Sequence, residues 1–272
     1  MSEELLSTAV DAAKAAGDVL LGFFRQPHLK PRLKAEHDYV TAADEAAEAT
    51  ILSLIRDRHP THRILSEEGG GDSSADSPPA GADEPEWIID PLDGTSNFMQ
   101  GLPIFAVSIA CRLGADLEVG VVFDPFAGNL FSARRGAGAS WNERRLDVSQ
   151  RPGLDDAFVA TGYPFRAQHE IDAYLTIFRA VFERVRSIRR CGAAALDLAY
   201  TAAGIYDGFF ELALSPWDIA AGALLIEEAG GRVTSLDGGP VDFADGNLLA
   251  GGPNVHAELV EVVAGLGNLD RI

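Results

Sequence analysis

The sequence predicts a mixed α+β fold, rich in strands over its first half and alternating between strands and helices over its second. Two observations lead there. Between Phe105 and Leu146, short apolar runs are separated by Gly, Pro and Asn, the pattern of antiparallel strands joined by hairpins. From about residue 157 onward, apolar runs of strand length alternate with longer stretches of helical period.

The elements follow in order. Leu5, Leu6, Ala9, Val10, Ala13, Leu20, Leu21 and Phe24 stand close to a helical period and predict a helix over residues 3–25. A second helix starts after Thr41, where Thr41-x-x-Asp44 matches a capping box, and runs to about Arg58. RILSEE (63–68) reads as a strand ending in acids. Gly, Ser, Pro and acids dominate residues 69–86, which predicts a loop. WIID (87–90) is a short apolar strand. In the second half, strands at 157–161, 187–191 and 207–212 precede helices at about 170–186, 193–203 and 216–229. Two more strands and a last helix follow. Ser215-Pro-Trp-Asp218 is another capping box, with Pro216 at the first helical position. Trp217 reads as packing.

Composition narrows the function. Hydrophobic residues make up 47% of the 272, enough for a sizeable core. No apolar run reaches the roughly 18 residues that a membrane span needs, and the N-terminus lacks a signal peptide's basic start, so a cytoplasmic protein is expected. The two cysteines, Cys111 and Cys191, suggest neither a disulfide nor a zinc site and are expected to be buried. The six His residues show no ligand spacing. Asp and Glu number 41 against 22 Lys and Arg, a net charge of −19. A surface so acidic repels phosphate backbones, which argues against nucleic acid as a ligand.

DPLDGTSNF (90–98) concentrates the chemistry. Read blandly, it is a strand, a turn and a capped helix start. Three features point further. Asp90 and Asp93 end a buried strand with both carboxylates able to meet. The amides of Gly94, Thr95, Ser96 and Asn97 open the next helix and would make a phosphate cradle. Glu67 and Glu68 end another strand, and Asp218 begins a helix. At about 4 Å and an effective dielectric of about 20, each like-charged pair costs roughly 4 kcal/mol, so converging acids call for cations. Oxygen ligands without His or Cys select Mg²⁺, Mn²⁺ or Ca²⁺. Two such ions beside a phosphate cradle make a hydrolytic site for phosphate esters.

These residues resemble the inositol monophosphatases, a branch of the Mg²⁺-dependent, lithium-sensitive phosphatases. WIIDPLDGTSNF (87–98) meets the family pattern, as do the Glu67-Glu68 pair and WDIAAG (217–222). DYVTAAD (38–44) resembles the family's D-x-V-T-x-x-D segment, ATGYPF (160–165) and RRCGAAALDLAYTAAG (189–204) are similar to bacterial members, and the acidic insert at about 69–86 departs from the pattern. The resemblance implies a layered α-β-α-β-α sandwich of the type shared with fructose-1,6-bisphosphatase. Residues 1–146 would carry an antiparallel sheet and most metal ligands; residues 147–272 would carry a mixed sheet and the substrate-recognition residues. It also implies a homodimer.

By the same resemblance, Glu67, Asp90 and the Leu92 carbonyl hold one ion, and Asp90, Asp93 and Asp218 a second, with Asp90 bridging. A third ion sits more loosely near Glu67. Mg²⁺ is the implied ion; Mn²⁺ would substitute, while Ca²⁺ and Li⁺ would inhibit. Thr95 orients the attacking water, with Asp44 behind it and Glu68 nearby. On spacing alone Asp44 is equally a helix cap. Lys34 is a further site candidate or else a surface lysine. Gly94, Thr95 and Ser96 face the phosphate, and Gly192, Ala193 and Ala194 line a sugar-sized pocket. Glu211, seven residues before Asp218, matches the carboxylate that accepts bonds from ring hydroxyls, and is otherwise a solvated strand residue. The implied substrate is a myo-inositol monophosphate or similar polyol phosphate. Fructose 1,6-bisphosphate, NADP and histidinol phosphate are the alternatives, and some bacterial relatives bind the transcription machinery.

Overall fold

Alternation along the strands organises the protein, whose computed structural model describes residues 2–26, 32–35, 38–69, 71–72, 81, 84–165 and 167–267, without the side chains of 32–35, 38 and 39. Helix α1 (Ser2–Phe23) is followed by a hairpin, β1 (Arg32–Ala35) and β2 (Asp38–Val40), and by α2 (Ala42–Arg58). Strands β3 (Arg63–Ser66) and β4 (Pro85–Asp93) lead to the short helix α3 (Thr95–Met99). A meander follows: β5 (Ala106–Leu113), β6 (Asp116–Asp124), β7 (Asn129–Arg134), β8 (Gly138–Trp141) and β9 (Arg144–Arg145). The second half runs β10 (Phe158–Thr161), α4 (Ile171–Phe182), β11 (Ser187–Arg189), α5 (Ala194–Ala202), β12 (Gly208–Glu211) and α6 (Pro216–Glu228). It closes with β13 (Arg232–Thr234), β14 (Leu248–Gly251) and α7 (Pro253–Ala264). The larger sheet has the order β3-β4-β5-β6-β7-β8-β9, and the second sheet the order β11-β10-β12-β14-β13.

Side chains of a strand point alternately to its two faces, so each sheet separates two cores. In β4, Trp87 and Ile89 join α1 and α2 on one face of the larger sheet. Ile88 between them points the other way, into a core shared with α5 and α6. In β12, Phe209 enters that same central core, whereas Phe210 meets α4 and α7 on the far face. The layers therefore run α1/α2, sheet, α5/α6, sheet, α4/α7. The outer helix α1 buries one stripe, with Leu5, Ala9, Ala12, Ala16 and Leu20 on it. The central α6 is buried continuously from Asp218 to Ile226, as a helix between two sheets must be. Among the described residues no helix is long and apolar enough to cross a membrane.

Several boundaries differ from expectation for physical reasons. β4 does not stop at Asp90: it continues to Asp93 across a register shift, so Pro91 marks a bulge and the Asp-Gly step the strand's end. β3 pairs parallel to β4, so the larger sheet is not purely antiparallel. Pro85 and Glu86 belong to β4 instead of the preceding loop. Glu86 is buried there because Arg112 Nε donates to it at 2.8 Å and Arg63 lies 3.6 Å away. Most of the expected loop, residues 70, 73–80 and 82–83, lies outside the described residues. α4 ends at Phe182 rather than Arg186. Cys111 is buried as expected, but Cys191 is only partly so.

The central layer demands close approach. A Cβ added at Gly120 of β6 would lie 2.8 Å from the Ala221 carbonyl oxygen and 3.0 Å from the Ala221 Cα of α6. Backbone cannot swing aside as a side-chain tip can. Gly120→Ala is therefore expected to cost about 1–3 kcal/mol through overpacking. The midpoint of urea unfolding measures it, and an unchanged midpoint would show that α6 does not press on the sheet here.

Candidate active site

The floor of the site is the bulge of β4. There the Leu92 amide donates to Asp90 Oδ1 at 2.9 Å, a turn that fixes the Asp90 carboxylate. Asp93, at the end of the strand, accepts from the Ala195 amide at 2.8 Å, which ties β4 to the N-terminus of α5. Asp218 stands in the first turn of α6, and its Oδ2 accepts from the Ser215 amide at 2.8 Å, closing the expected capping box. These three buried acids each offer an oxygen within 4.8 Å of the others. Among the described residues no His or Cys joins them there.

Electrostatics follow from that crowding. Burial pushes the Asp90 carboxyl well above its usual range, and the charges of Glu67, Asp93 and Asp218 push it further. Burial, then Asp218, pushes the Asp93 carboxyl up to about 7, against the opposing Ala195 bond. A hard divalent cation fits this donor set, because among the described residues the converging ligand atoms are carboxylate oxygens.

Thr95 and Asp44 complete one wall. The Thr95 hydroxyl lies 3.2 Å from Asp44 Oδ1 and 3.0 Å from the Leu92 carbonyl oxygen, so its single hydrogen has two acceptors. Asp44 Oδ2 meanwhile accepts from the Thr41 amide at 2.9 Å and the Thr41 hydroxyl at 2.6 Å. Cap and site contact are thus not alternatives: Asp44 caps α2 with one oxygen and reaches Thr95 with the other. Burial raises its pKa, while the Thr41 bonds oppose the shift.

Gly94 precedes α3 with φ +89°, and a Cβ there would lie 2.9 Å from the Ile104 carbonyl oxygen, so both conformation and space demand glycine. The helix it opens is five residues long, and its first bond runs from the Phe98 amide to the Gly94 carbonyl. The preceding amides have no partner within the helix. Asn97 joins this segment to the other half of the site: its side-chain amide contacts the carbonyls of Ile104 and Cys191, each at 2.9 Å, and of Gly192 at 3.2 Å.

Together these elements enclose a cavity of about 460 Å³. Glu67, Asp90, Leu92, Asp93, Gly94, Thr95, Ser96, Gly192, Ala193, Ala194, Glu211 and Asp218 all line it. Asp44 reaches it through Thr95. Glu68 is half-buried in the turn after β3 and is not among the lining residues. The side chain of Lys34 lies outside the described residues. Glu211 is not a solvated strand residue: it is 5% exposed, at the end of β12, packed so closely on Gly162 that a Cβ there would overlap its carboxylate. Burial, then the charges of Asp197 and Asp218, holds its carboxyl well above the usual range.

Sequence reasoning missed Asn97 as a clamp, and it missed Arg190 and Asp197, which also line the cavity. Arg190 stacks its guanidinium over the Tyr163 ring at 4.6 Å. Asp197 carried a signal: it is the single charged residue in AALDLAYTA, a helix that is otherwise almost wholly buried. Asn97 carried none, because its partners lie up to 95 residues away.

Comparison with known proteins agrees with this geometry. The model of the inositol monophosphatase family matches residues 1–266. Nus factor SuhB of Salmonella typhimurium is 46% identical over 252 residues, 92% of each chain. Nus factor SuhB of Pseudomonas aeruginosa is 45% identical over 264 residues, 96% of each chain. Among solved structures, the inositol monophosphatase from Anabaena superposes with a TM-score of 0.86 at 36% identity, covering 99% of both chains. The extragenic suppressor protein suhB from Bartonella henselae gives 0.88 at 40% identity, covering 96% of this chain and 98% of that one.

The raised Asp93 pKa has a stability signature. An acid that titrates near 4 unfolded and about 7 folded binds more protons in the folded state between those values, so its contribution falls as pH rises through them. A bound cation relieves that penalty by displacing protons. His59, His62 and His256, whose buried rings are held below their ordinary pKa, act in the opposite sense. The magnesium-dependent shift in melting temperature is therefore the readout. In calorimetry of metal-free protein, added Mg²⁺ is expected to raise the melting temperature more at about pH 7.5 than at about pH 5.5. A shift no larger at the higher pH counts against cation binding by these acids.

Proposed function

The chain belongs to the inositol monophosphatase family, and from that membership we propose that it is a Mg²⁺-dependent phosphomonoesterase acting on myo-inositol monophosphates or similar polyol phosphates. The observation that carries the proposal is the buried Asp90, Asp93 and Asp218 cluster, whose oxygens lie within 4.8 Å of one another on the floor of a cavity. Glu67, Asp90 and the Leu92 carbonyl would hold one ion, Asp90, Asp93 and Asp218 a second, and a third would sit more loosely near Glu67. Mn²⁺ would replace Mg²⁺; Ca²⁺ and Li⁺ would compete unproductively. Bound there, divalent cations supply a lowered water pKa and positive charge against the phosphoryl oxygens.

The chain's own groups do the rest. When the Thr95 hydroxyl donates to Asp44, its oxygen lone pair is left to accept a hydrogen from the attacking water and so to aim it. Glu68, in the neighbouring turn, is the further acid for this proton. The amides from Gly94 to Ser96 hold the phosphoryl oxygens as charge builds on them. Water forms the new P–O bond as the ester P–O bond breaks, releasing phosphate and the alcohol. Gly192, Ala193 and Ala194 offer a small-residue wall to the alcohol, and Glu211 accepts from its hydroxyls. A homodimer fits the same reading, supported by exposed Ile171, Leu175 and Phe182 along α4.

A second reading comes from relatives called Nus factor: attachment to the transcription machinery, with or without hydrolysis. The net charge of −19 favours a protein partner over RNA. If this reading holds, purified RNA polymerase retains the wild-type chain and the Asp90→Asn variant alike on an affinity column. Retention of neither removes it.

Phosphate release from a panel of inositol 1-phosphate, fructose 1,6-bisphosphate, NADP, histidinol phosphate and p-nitrophenyl phosphate tests the main reading. Inositol 1-phosphate is expected to turn over fastest, activity to vanish in EDTA, and Mg²⁺ to restore it. Undiminished hydrolysis in excess chelator would falsify the metal mechanism. In the same assay, Asp44→Asn keeps the shape of the cap, costs about 0.5–2 kcal/mol of stability or less, and lowers kcat by roughly 10²–10⁴. A fully active Asp44→Asn protein would leave Asp44 as a cap alone.

A further inference from the structure

Asp197 has no place in the chemistry described so far, yet the fold keeps it at a cost. It sits in the first turns of α5, between the two sheets, and is 1% exposed. Its Oδ1 has no hydrogen-bond partner among the described residues. Leaving a buried acceptor unsatisfied costs about 1–3 kcal/mol, and more for a charged one. Asp93 adds a repulsive charge, which Arg190 opposes. Nothing in the helix needs an acid at this position: Asp197 caps no amide, and the neighbours Leu196 and Leu198 are fully packed. Local rules broken in this way, without compensation inside the fold, are found where a ligand supplies what is missing.

Its location says which ligand. Asp197 lines the same cavity as the cation-binding acids, alongside Glu211. Among the charges acting on the Glu211 carboxyl, Asp197 is the foremost. With Arg190 already acting on both carboxyls, a further metal ion is not called for. A hydroxyl group suits Asp197 best, because it donates to a carboxylate and accepts from a carboxylic acid, whichever form the crowding imposes. We propose that Asp197 is a specificity-determining residue of this cavity, accepting, in the same cavity as Glu211, a hydrogen bond from a hydroxyl on the organic group of the phosphate ester. This rests on the phosphatase reading above and adds Asp197 to the groups that read its substrate.

Asp197→Asn tests it, since the amide keeps the shape but loses the charge and one acceptor. A hydrogen bond to a charged group is worth about 1.5–3 kcal/mol, so kcat/KM for inositol 1-phosphate is expected to fall roughly 10- to 150-fold. Turnover of p-nitrophenyl phosphate, which has no hydroxyl, stays within about twofold. The melting temperature holds or rises, because a buried charge that Asp93 repels has gone. Among monodeoxy inositol phosphates, one lacks the hydroxyl that Asp197 reads, and for that analogue the substitution adds no further loss. Asp197→Leu, which suits the apolar surroundings of α5, is the companion variant and carries the same expectation. Equal losses on both esters, a fall in melting temperature, or no loss on inositol phosphate each overturn the proposal and make Asp197 a structural group. Failure of the phosphatase reading looks different: the wild-type protein then releases phosphate from neither ester, and the proposal falls with it.

Discussion

Buried like charge is the constraint on which the site depends. Asp90, Asp93 and Asp218 bring oxygens within 4.8 Å of one another inside the protein. The fold manages this by a repeated device. Each acid gives one oxygen to a backbone amide: Leu92 for Asp90, Ala195 for Asp93, Ser215 for Asp218, and Thr41 for Asp44. Charge-assisted bonds of this kind are short and directional, so the carboxylates are aimed before any ligand arrives. Three of the donors stand at helix starts, where unpaired amides and the helix dipole favour an anion. Asp44 turns its second oxygen to the Thr95 hydroxyl.

The layered architecture follows from the same need. Amides at helix starts can meet acids at strand ends only if the central helices lie against the larger sheet. Gly120 permits that contact under α6, and Gly222 permits α6 to lie on α5, where an added Cβ would meet Leu198. The Asn97 side chain then holds the α3 segment against the loop at Cys191 and Gly192. Acids from β4 and α6, and the small residues before α5, thereby share one cavity although they are distant in sequence.

Much of this was legible because it is written locally. Capping boxes at Thr41 and Ser215 need only four residues each, and both formed. The apolar run WIID was enough to give a buried strand, and a strand-end acid pair beside Asp-Gly was enough to raise a cation site. What the sequence concealed depends on distant partners. The extension of β4 to Asp93 rests on pairing with β5, which overrides the turn signal of Pro91. Glu86 reads as loop until Arg112 and Arg63 are seen beside it. Asp197 reads as an ordinary helical acid until the sheets close on it from both sides.

The double use of Asp44 and Asp218 also bears on how descent would treat this site. Each holds a helix start as well as facing the cavity, so a lineage that abandoned hydrolysis for another occupation would still be selected to keep them. Glu211 and Asp197 hold no helix start, and Asp197 burdens the fold that carries it. Relaxed selection would erode these two first. Among proteins of this kind, an intact set of capping acids is thus a poor record of a working enzyme, whereas, with Asp197 and Glu211 reading the substrate as proposed, their loss would date the moment that substrate stopped mattering.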